Sequence, residues 1–457
     1  MQPAGATYYI FIAAIFFLYW AASSRRLPRL AVVLLANYFF CAQFGLFYLW
    51  LLPVCSTIDY GVGLGLMRFQ HPATRRALLG TSVAVNLALL VSSRHMPWFL
   101  DHSRWDWLFP LGLSFYTFQA LTYTIDLYRR DGEGTPSLLA HLSAVSFFPT
   151  LQAGPITRVS ELVKQFAAEP ALSRTTGGQA FFLIGLGLLK KFLIADYLAN
   201  NFVNRVFDTP KLYSGVEALL AVYAYSVQLY YDFSGYTDIA RGTALLLGIR
   251  LPINFDHPYL SANPAEFWRR WHISFSNWLR DYLYFSLPGK RRKVMPYVNL
   301  VITMVLGGLW HGVSWTFAIW GLLHGAALAC IRYWQNLHRG RGKPERPWSR
   351  PLRMFATYQF VCLTWVFFRA GSLSNAFDIL GRIGSLSFGL ENVSVLLAAV
   401  LLVGLAVQAT PKDWYMRAMN LFAQSPSYVH AVALLLVAVT VQMLAGQGSV
   451  AFVYSRF

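Results

Sequence analysis

Charged residues are scarce in this sequence, and acidic residues are scarcer than basic ones. Only 13% of the 457 residues are charged, whereas an ordinary soluble domain carries about 25%. Aspartate and glutamate together number 20, against 38 lysines and arginines. Because 56% of the residues are hydrophobic, the chain has too little polar surface to cover itself in water. These shortages exclude an ordinary soluble protein and predict one that lies in a lipid bilayer.

The shortage of acidic residues leaves a formal net charge of +18. On a soluble domain such a charge would suggest nucleic acid binding. In a membrane protein it has a simpler explanation, because lysine and arginine collect in cytoplasmic loops. The 15 Trp, 25 Tyr and 35 Phe also suit a bilayer, since aromatic rings favour the membrane interface. We therefore expect lipid, and no nucleic acid, as a partner.

Cysteines are also few, and none has the spacing of metal ligands. The four lie in apolar stretches, at Cys41, Cys55, Cys330 and Cys362. We predict buried free thiols and no metal site. The sequence also lacks a signal-peptide cleavage pattern, so residues 7–23 are predicted to be a first span that is retained.

Long apolar runs are abundant, and a membrane-spanning helix needs about 20 mostly apolar residues. We find eleven to thirteen candidate spans or re-entrant segments. They lie near 7–23, 30–43, 45–67, 77–93, 107–127, 178–196, 215–233, 235–250, 294–313, 315–333, 354–369, 394–409 and 428–445. The segment 141–156, which contains Pro149 and Pro155, is predicted to be re-entrant. The fold class is therefore an all-α polytopic membrane protein, with residues 1–457 forming one domain without internal repeats.

Basic clusters predict the orientation of these spans. Where the count of spans is clear, two spans separate successive clusters, so the clusters lie on one side of the membrane. They are Arg25/Arg26/Arg29, Arg68/Arg75/Arg76, Arg129/Arg130, Lys290 to Lys293, and the run from Arg332 to Arg353. The positive-inside rule makes that side cytoplasmic. Both chain termini are then predicted to be outside, whereas the topology between residues 131 and 269 is left open.

The stretch 264–289, PAEFWRRWHISFSNWLRDYLYFSLPG, predicts an amphipathic helix that begins at Pro264. An aromatic face consists of Trp268, Trp271, Phe275, Trp278 and Tyr282. Beside it, a polar stripe consists of Arg269, His272, Ser276 and Arg280. Such a helix suits the cytoplasmic surface of the membrane. That role does not explain why a histidine lies next to the aromatic face, so His272 is a candidate for chemistry.

The stretch 305–325, VLGGLWHGVSWTFAIWGLLHG, contains His311 in an otherwise apolar segment. Gly307, Gly308 and Gly312 surround it, and glycines allow a backbone or ligand to approach closely. An ionisable group at membrane depth is costly, which makes His311 a functional candidate. The alternative is a neutral histidine that is hydrogen-bonded between helices. For the second histidine, His324, a packing or interface role is the favoured interpretation, and a place in the substrate path is the other.

Carboxylates lie at membrane depth in the stretch 230–260. Arg241 follows Asp238 by three residues, a helical spacing that allows an ion pair. One interpretation is a structural network that includes Asp232. The other is that the region lines a substrate path, with Asn254, Asp256 and His257 at its cytoplasmic mouth.

Two of these stretches, EFWRRWHISFSNWLRDYLYFSLPG and NLVITMVLGGLWHGVSWTFAIWGLLHG, closely resemble the signature of bacterial membrane-bound O-acyltransferases. The resemblance is to the alginate O-acetylation subfamily and its relatives that acetylate cellulose and other exopolysaccharides. YYDFSGYTDIARGTALLLGI, FFPTLQAGPITR and the terminal AFVYSRF are also similar to that subfamily. The resemblance covers most of the chain and is densest from 225 to 325.

The resemblance implies a ring of helices around a thinned centre, with funnels from both faces. It implies that His311 is the catalytic histidine and that His272 matches a second conserved polar position. The implied acyl donor is cytoplasmic, with acetyl-CoA as the expected compound and no permanently bound cofactor. The implied acceptor side includes a periplasmic acetyltransferase partner and a polysaccharide synthesis complex, at the bacterial inner membrane.

Acyl transfer from a thioester to a hydroxyl needs a base and stabilisation of the developing oxyanion. Histidine can act as a base near neutral pH, so we predict that His311 is the base and that His272 orients the thioester or binds the oxyanion. Other polar or aromatic residues are predicted to line the substrate path: Asn277, Ser276, Arg269, Arg280, Asp232, Asp238, Trp310 and His324. A transporter, a non-catalytic scaffold for polysaccharide secretion, and a relative that transfers D-alanine to teichoic acid are the alternatives.

Overall fold

The computed structural model describes residues 5–43, 45, 48–95, 113–131, 134–289, 292–338 and 348–445. These residues form helices and connecting turns, and no β-strand occurs among them. The predicted all-α class is therefore confirmed. The terminal AFVYSRF motif, Lys290 and the first residues of the predicted span 107–127 lie outside the described residues.

Nine α-helices precede residue 190 in the part of the chain that the structure describes. They are α1 (Ala6–Ala21), α2 (Arg26–Ala42), α3 (Tyr48–Arg68), α4 (Pro72–His95), α5 (Leu113–Arg129), α6 (Leu138–Val145), α7 (Phe148–Leu151), α8 (Val159–Ala167) and α9 (Arg174–Leu189). The short helices α6 and α7 occupy the segment predicted to be re-entrant, and its interruption follows from Pro149 and Pro155. Two π-helical segments, Lys190–Asp196 and Ala199–Val203, then continue from α9.

Eleven further α-helices complete the described part of the chain. They are α10 (Asn204–Asp208), α11 (Gly215–Leu246), α12 (Pro264–Arg270), α13 (Ile273–Trp278), α14 (Met295–His311), α15 (Trp315–Leu337), α16 (Ser349–Arg369), α17 (Leu373–Gly384), α18 (Val395–Val407), α19 (Lys412–Gln424) and α20 (Ser427–Ala445). A π-helical turn, Leu279–Leu283, follows α13. Most predicted spans thus correspond to one helix each.

The predicted spans 215–233 and 235–250 are wrong as separate elements, because α11 is one helix of 32 residues. At 1.5 Å per residue it is about 48 Å long. The prediction divided the helix at Gly235, which instead lies within it. A Cβ atom on Gly235 would come within 2.7 Å of the carbonyl oxygen of Gly187 in α9. The glycine therefore serves close packing of α11 against α9 and does not end the helix.

Four described helices are long and apolar enough to cross a membrane by length and composition alone: α3, α4, α15 and α20. The pair α18 and α19 passes the same test together but is bent by 97°. The remaining helices are shorter or more polar. The predicted number of eleven to thirteen spans stays a prediction, as do the orientation of both termini and the single domain over 1–457.

The predicted amphipathic helix 264–289 is wrong as one continuous element. It is broken between α12 and α13, where His272 has a left-handed backbone conformation with φ of 44°. The break rotates the following residues relative to α12, so the predicted polar stripe is not a single surface. His272 is buried, whereas Arg269 and Arg280 are exposed.

Buried apolar side chains form two clusters that meet along α11. The first cluster contains side chains from helices α1 to α9 together with Phe275 and Trp310. The second contains side chains from α16 and α17 together with Trp268 and Trp320. The segment between Trp310 and Trp320 thus lies at the junction of the two clusters, and this junction positions the candidate site.

Candidate active site at the junction of the two cores

His311 is the last residue of α14, and its side chain is buried at 3% exposure. The chain turns over Gly312 to Ser314, and the Ser314 hydroxyl accepts a hydrogen bond from the backbone N–H of Phe317 at the start of α15. This cap satisfies one of the N–H groups that a helix start leaves without a partner. The tight turn holds His311 between two antiparallel helices.

Glycines bring α14 and α15 into direct backbone contact. A Cβ atom on Gly308 would come within 2.3 Å of the Phe317 carbonyl oxygen, and one on Gly321 within 2.4 Å of the Met304 carbonyl oxygen. The sequence predicted such an approach at Gly308. Because the helices touch at glycine, the ring of His311 is held by backbone geometry as well as by side-chain packing.

Aromatic rings enclose His311. Its ring centroid lies 4.5 Å from that of Trp310, 4.9 Å from that of Phe368 and 5.4 Å from that of Trp320. The rings of Phe317 and Phe275 lie 6.0 and 6.2 Å away. Trp310 belongs to the first core cluster and Trp320 to the second. This apolar enclosure excludes water, which strengthens electrostatic interactions inside it.

His272 lies on the other side of Phe275. Its ring centroid is 4.9 Å from that of Phe275 and 4.6 Å from that of Phe233 in α11, and its side chain is buried at 1% exposure. The two predicted catalytic histidines therefore share Phe275 as a neighbour.

Asn254 holds the strained turn at His272. The backbone oxygen of Asn254 accepts a hydrogen bond from the N–H of Ile273 at 3.0 Å, and its Oδ1 accepts one from the N–H of Ser274 at 3.1 Å. The Ser274 hydroxyl accepts a further bond from the N–H of Ile156. A left-handed conformation is uncommon for residues other than glycine and persists where the surroundings determine it. The turn thus depends on a buried polar network.

An apolar cavity of about 530 Å³ lies beside α14 on the N-terminal side of His311. Met304, which lines it, precedes His311 by two helical turns, or about 10 Å along the axis. Trp268 also lines the cavity, and its ring packs on that of Trp320 at 5.8 Å. The predicted path residues Ser276 and Arg280 also line the cavity.

Two arginines, Arg280 and Arg332, also line this apolar cavity. Arg332 of α15 donates a hydrogen bond of 2.6 Å to the hydroxyl of Tyr284, and both residues line the cavity with Arg280. Arg280 also pairs with Asp281 at 2.8 Å. The cavity therefore combines an apolar wall near His311 with guanidinium groups farther away, an arrangement that accommodates an elongated ligand with a polar anionic end.

Other predicted path residues lie elsewhere. Asn277 is exposed and lines a small cavity of about 300 Å³ together with Arg158 and Asp281. Arg269 is exposed and lines neither of these two cavities. Trp310 is buried in the aromatic enclosure of His311.

His324 is fully buried and has two hydrogen-bond partners. Its Nδ1 accepts a bond of 3.2 Å from the indole N–H of Trp268, and its Nε2 lies 3.0 Å from the Thr364 hydroxyl. Because Nδ1 is the acceptor, the neutral ring carries its proton on Nε2 and donates to Thr364. The predicted packing role of His324 agrees with this geometry, since the ring joins α12, α15 and α16.

The predicted ion pair between Asp238 and Arg241 is present at 3.6 Å. Asp238 also binds Lys190 at 2.6 Å. Asp232 binds the buried Lys191 at 2.6 Å, and Lys191 reaches Asp196 at 2.8 Å. The two carboxylates of α11 thus belong to two separate networks, and each contains a lysine of the π-helical segment.

The two lysines are the charged partners that the sequence reasoning missed. They lie inside the predicted span 178–196, and a charge inside an apolar span is itself a signal of a buried partner. The π-helical turn places the two adjacent lysines so that each reaches a different carboxylate of α11. The aromatic ring of Phe368, from the distant helix α16, is another neighbour of His311 that no local pattern indicated.

The burial predicted for the four cysteines is confirmed for three of them. Cys41, Cys55 and Cys362 are buried, but Cys330 is exposed, which corrects the prediction for that residue. Cys330 lies on α15 on a face that no other described element covers. Within the described ranges, no group of three or more His, Cys, Asp or Glu side chains could hold a metal ion.

Comparison with known proteins gives consistent matches. Residues 102–369 match the model of the MBOAT, membrane-bound O-acyltransferase, family. The chain is 36% identical over 400 residues to the peptidoglycan O-acetyltransferase of Helicobacter pylori, covering 79% of this chain and 75% of that protein. It is 38% identical over 394 residues to the "probable alginate O-acetylase AlgI" of Pseudomonas fluorescens, covering 85% and 76%. The teichoic acid D-alanyltransferase of Streptococcus thermophilus is 31% identical over 282 residues, covering 56% and 68%.

Proposed function

This chain belongs to the membrane-bound O-acyltransferase family, and we propose that it transfers an acetyl group from a cytoplasmic thioester, with acetyl-CoA as the donor, towards an exported polysaccharide. The observation that carries the proposal is the position of His311. It is buried at the end of α14 inside an aromatic enclosure, and an apolar cavity begins two helical turns away.

The comparisons favour acetyl over D-alanyl transfer. The relatives named for peptidoglycan and alginate O-acetylation match 79% and 85% of this chain, whereas the D-alanyltransferase matches 56%. Peptidoglycan and alginate are both sugar polymers. We therefore propose a polysaccharide hydroxyl as the final acceptor, with alginate and cellulose among the candidates.

The apolar cavity is the proposed donor path. Its apolar wall suits the acyl and thioester end of acetyl-CoA, and the guanidinium groups of Arg280 and Arg332 suit the phosphates. In this proposal the acyl end passes Met304 and Trp268, which line the cavity, to reach His311. With the basic loops in the cytoplasm, the donor enters from that side and both chain termini are periplasmic. The acceptor arrives from the opposite face of the inner membrane, where a periplasmic acetyltransferase and a polysaccharide synthesis complex are the proposed partners.

The proposed reaction is attack of an acceptor hydroxyl on the thioester carbonyl. His311 takes the hydroxyl proton as the new C–O bond forms, and the C–S bond then breaks. The proton passes to the departing thiolate, which leaves as the thiol. His272 stabilises the oxyanion or orients the thioester across Phe275. A general base contributes about a hundred- to ten-thousand-fold to such a reaction.

The test is radiolabel transfer from acetyl-CoA in sealed vesicles of known orientation, with wild type and His311→Ala at matched levels of folded protein. The His338→Ala variant is a matched control, because His338 is an exposed histidine at the end of α15. We expect label to reach the outer face with wild type and His338→Ala and to be lost with His311→Ala. The Arg332→Gln variant should raise the KM for acetyl-CoA more than it lowers kcat.

Three results would contradict the proposal. Equal transfer by wild type and His311→Ala would exclude His311 as the base. Wild type could instead fail with acetyl-CoA, although the candidate acceptors and partners are supplied, and transfer the acyl group of a D-alanyl carrier. That result would identify the D-alanyl carrier as the donor. Failure with every donor would favour the transporter or the scaffold.

A further inference from the structure

A second and larger cavity, of about 810 Å³, lies outside the proposed catalytic path. It is bounded by α9, α11, the loop 250–257 and α19. Neither His311 nor His272 lines it. We call it the large cavity.

Unpartnered polar atoms line the large cavity. Ser234, Thr237 and Arg241 follow one another at helical spacing on one face of α11. The Ser234 hydroxyl, the Thr237 hydroxyl, the Nε of Arg241 and the Nδ2 of Asn254 are buried, and none has a hydrogen-bond partner among the described residues. The side chains of Ser234, Thr237 and Asn254 are 3%, 2% and 1% exposed.

Such a concentration of unpartnered groups indicates a ligand site. A buried donor without a partner costs free energy, and buried polar groups in proteins are generally hydrogen-bonded. These four atoms belong to side chains that line one cavity, and all four can donate a hydrogen bond. A ligand that is rich in acceptors would satisfy them together.

The charge of the lining favours an anion. Four basic residues (Lys190, Arg241, Arg250 and Lys412) and two acidic residues (Asp238 and Asp256) line the large cavity. With His257 neutral, the lining carries a net charge of +2. Lys190 and Arg241 share the single carboxylate of Asp238, at 2.6 and 3.6 Å. The cation excess therefore lies beside the unpartnered hydroxyls.

The rest of the wall is apolar. Leu183 and Leu186 of α9 and Met416 and Met419 of α19 line the large cavity. Helix α19 is amphipathic, and it follows α18 at a bend of 97°. Trp414 and Leu421 on this helix are 65% and 71% exposed. An amphipathic helix with exposed apolar side chains suits the membrane interface. The large cavity therefore has basic and hydrogen-bond-donating side chains in one wall and α19, a helix suited to lipid, in another.

We propose that the large cavity binds the phosphate head group of an amphiphile. The hydroxyls of Ser234 and Thr237, the guanidinium of Arg241 and the amide of Asn254 donate hydrogen bonds to the phosphate oxygens. The apolar chain lies against α9 and α19. A membrane phospholipid and the phosphate-bearing part of a soluble thioester share this chemistry, and the experiment separates them.

Asn254 joins this cavity to the His272 turn. Its Oδ1 accepts the hydrogen bond from the N–H of Ser274, while its Nδ2 is the unpartnered donor in the cavity wall. Phe255, which also lines the cavity, packs on Phe233 at 5.1 Å, and Phe233 packs on His272 at 4.6 Å. A bound phosphate therefore contacts the residue that holds the turn.

The test is binding to the purified full-length protein in a neutral detergent, measured by native mass spectrometry. The probes are dioleoyl phosphatidylglycerol, a diacylglycerol with the same chains but no phosphate, and CoA. We expect wild type to retain phosphatidylglycerol and not diacylglycerol. Because Arg241 supplies charge-assisted bonds, Arg241→Gln should weaken phosphatidylglycerol binding about tenfold, and Arg241→Lys should restore part of it.

The Thr237→Val variant keeps the shape and charge of the site and provides a second test if Arg241→Gln fails to fold. Lys211→Gln is the matched control, because Lys211 is an exposed cation that pairs with Asp378 at 3.6 Å and does not line the cavity. Competition by CoA that depends on Arg241 would identify a soluble phosphate source, and its absence would identify a lipid.

Equal phosphatidylglycerol and CoA binding by wild type, Arg241→Gln and Thr237→Val would overturn the proposal, as would equal retention of diacylglycerol. The His311→Ala variant should bind as wild type does. Failure of acyl transfer and failure of this site therefore give different results.

Discussion

Lys191 is the buried cation whose removal should destabilise this protein most clearly. Its Nζ lies 2.6 Å from Asp232 and 2.8 Å from Asp196, and the three side chains are 2%, 3% and 8% exposed. The Lys191→Met substitution keeps a similar side-chain length but removes the charge. Asp232 and Asp196, which lie where α11 meets the π-helical segment, then lose the lysine that both contact.

The expected cost follows from this burial. Removing one partner of a buried ion pair typically costs about 3–5 kcal/mol, because the remaining charge stays away from water. Two carboxylates lose the same cation here, so we expect Lys191→Met to fall in the upper part of that range. The triple variant Lys191→Met/Asp232→Asn/Asp196→Asn removes all three charges. It should recover most of the loss, since buried neutral groups of similar shape lack the desolvation cost.

The measurement is equilibrium unfolding in mixed micelles, followed by circular dichroism. Lys211→Met is the control, because Lys211 is 80% exposed and its pairing with Asp378 should contribute little. A Lys191→Met variant as stable as wild type would refute the reasoning. A triple variant no more stable than Lys191→Met would show that packing, and not charge, explains the loss.

Two other substitutions test the candidate site. Gly308→Ala places a Cβ atom 2.3 Å from the Phe317 carbonyl oxygen, so α14 and α15 must separate, and we expect a loss of about 1–3 kcal/mol in the same unfolding assay. Gly61→Ala is its matched control, because nothing lies within 4 Å of the added atom, and equal effects of the two would contradict the close contact. His324→Leu removes hydrogen bonds to Trp268 and Thr364 and should lower stability by about 1–3 kcal/mol. Its acetyl transfer per folded molecule should stay near wild type, and a loss as large as that of His311→Ala would give His324 a direct part in the reaction.

Local patterns in the sequence predicted several parts of the candidate site correctly. The spacing of Asp238 and Arg241 predicted their ion pair, because neighbours on a helix surface are set by the helical repeat alone. The glycines around His311 predicted a close backbone approach, and one occurs between Gly308 and Phe317. These predictions succeed because they depend on residues that are near one another along the chain.

Predictions that needed contacts between distant segments were less complete. The break at His272 depends on Asn254, a residue 18 positions earlier, whose carbonyl and amide oxygens hold the turn. Helical periodicity alone carried the predicted helix through this point, so it assigned His272 to one continuous polar stripe. The exposure of Cys330 was missed for a related reason, since an apolar stretch does not reveal which face of its helix is covered.

The sequence by itself established that this protein lies in a lipid bilayer and to which family it belongs. A shortage of charge and long apolar runs require lipid, because such a chain has too little polar surface to cover itself in water. The motifs around His272 and His311 determined the family because they are long and contiguous. The tertiary structure alone decided which lysine neutralises which carboxylate, that α11 is continuous, and that unpartnered donors converge on the large cavity. Each of these depends on how α9, α11 and the loop 250–257 pack, and packing joins residues that no local period relates.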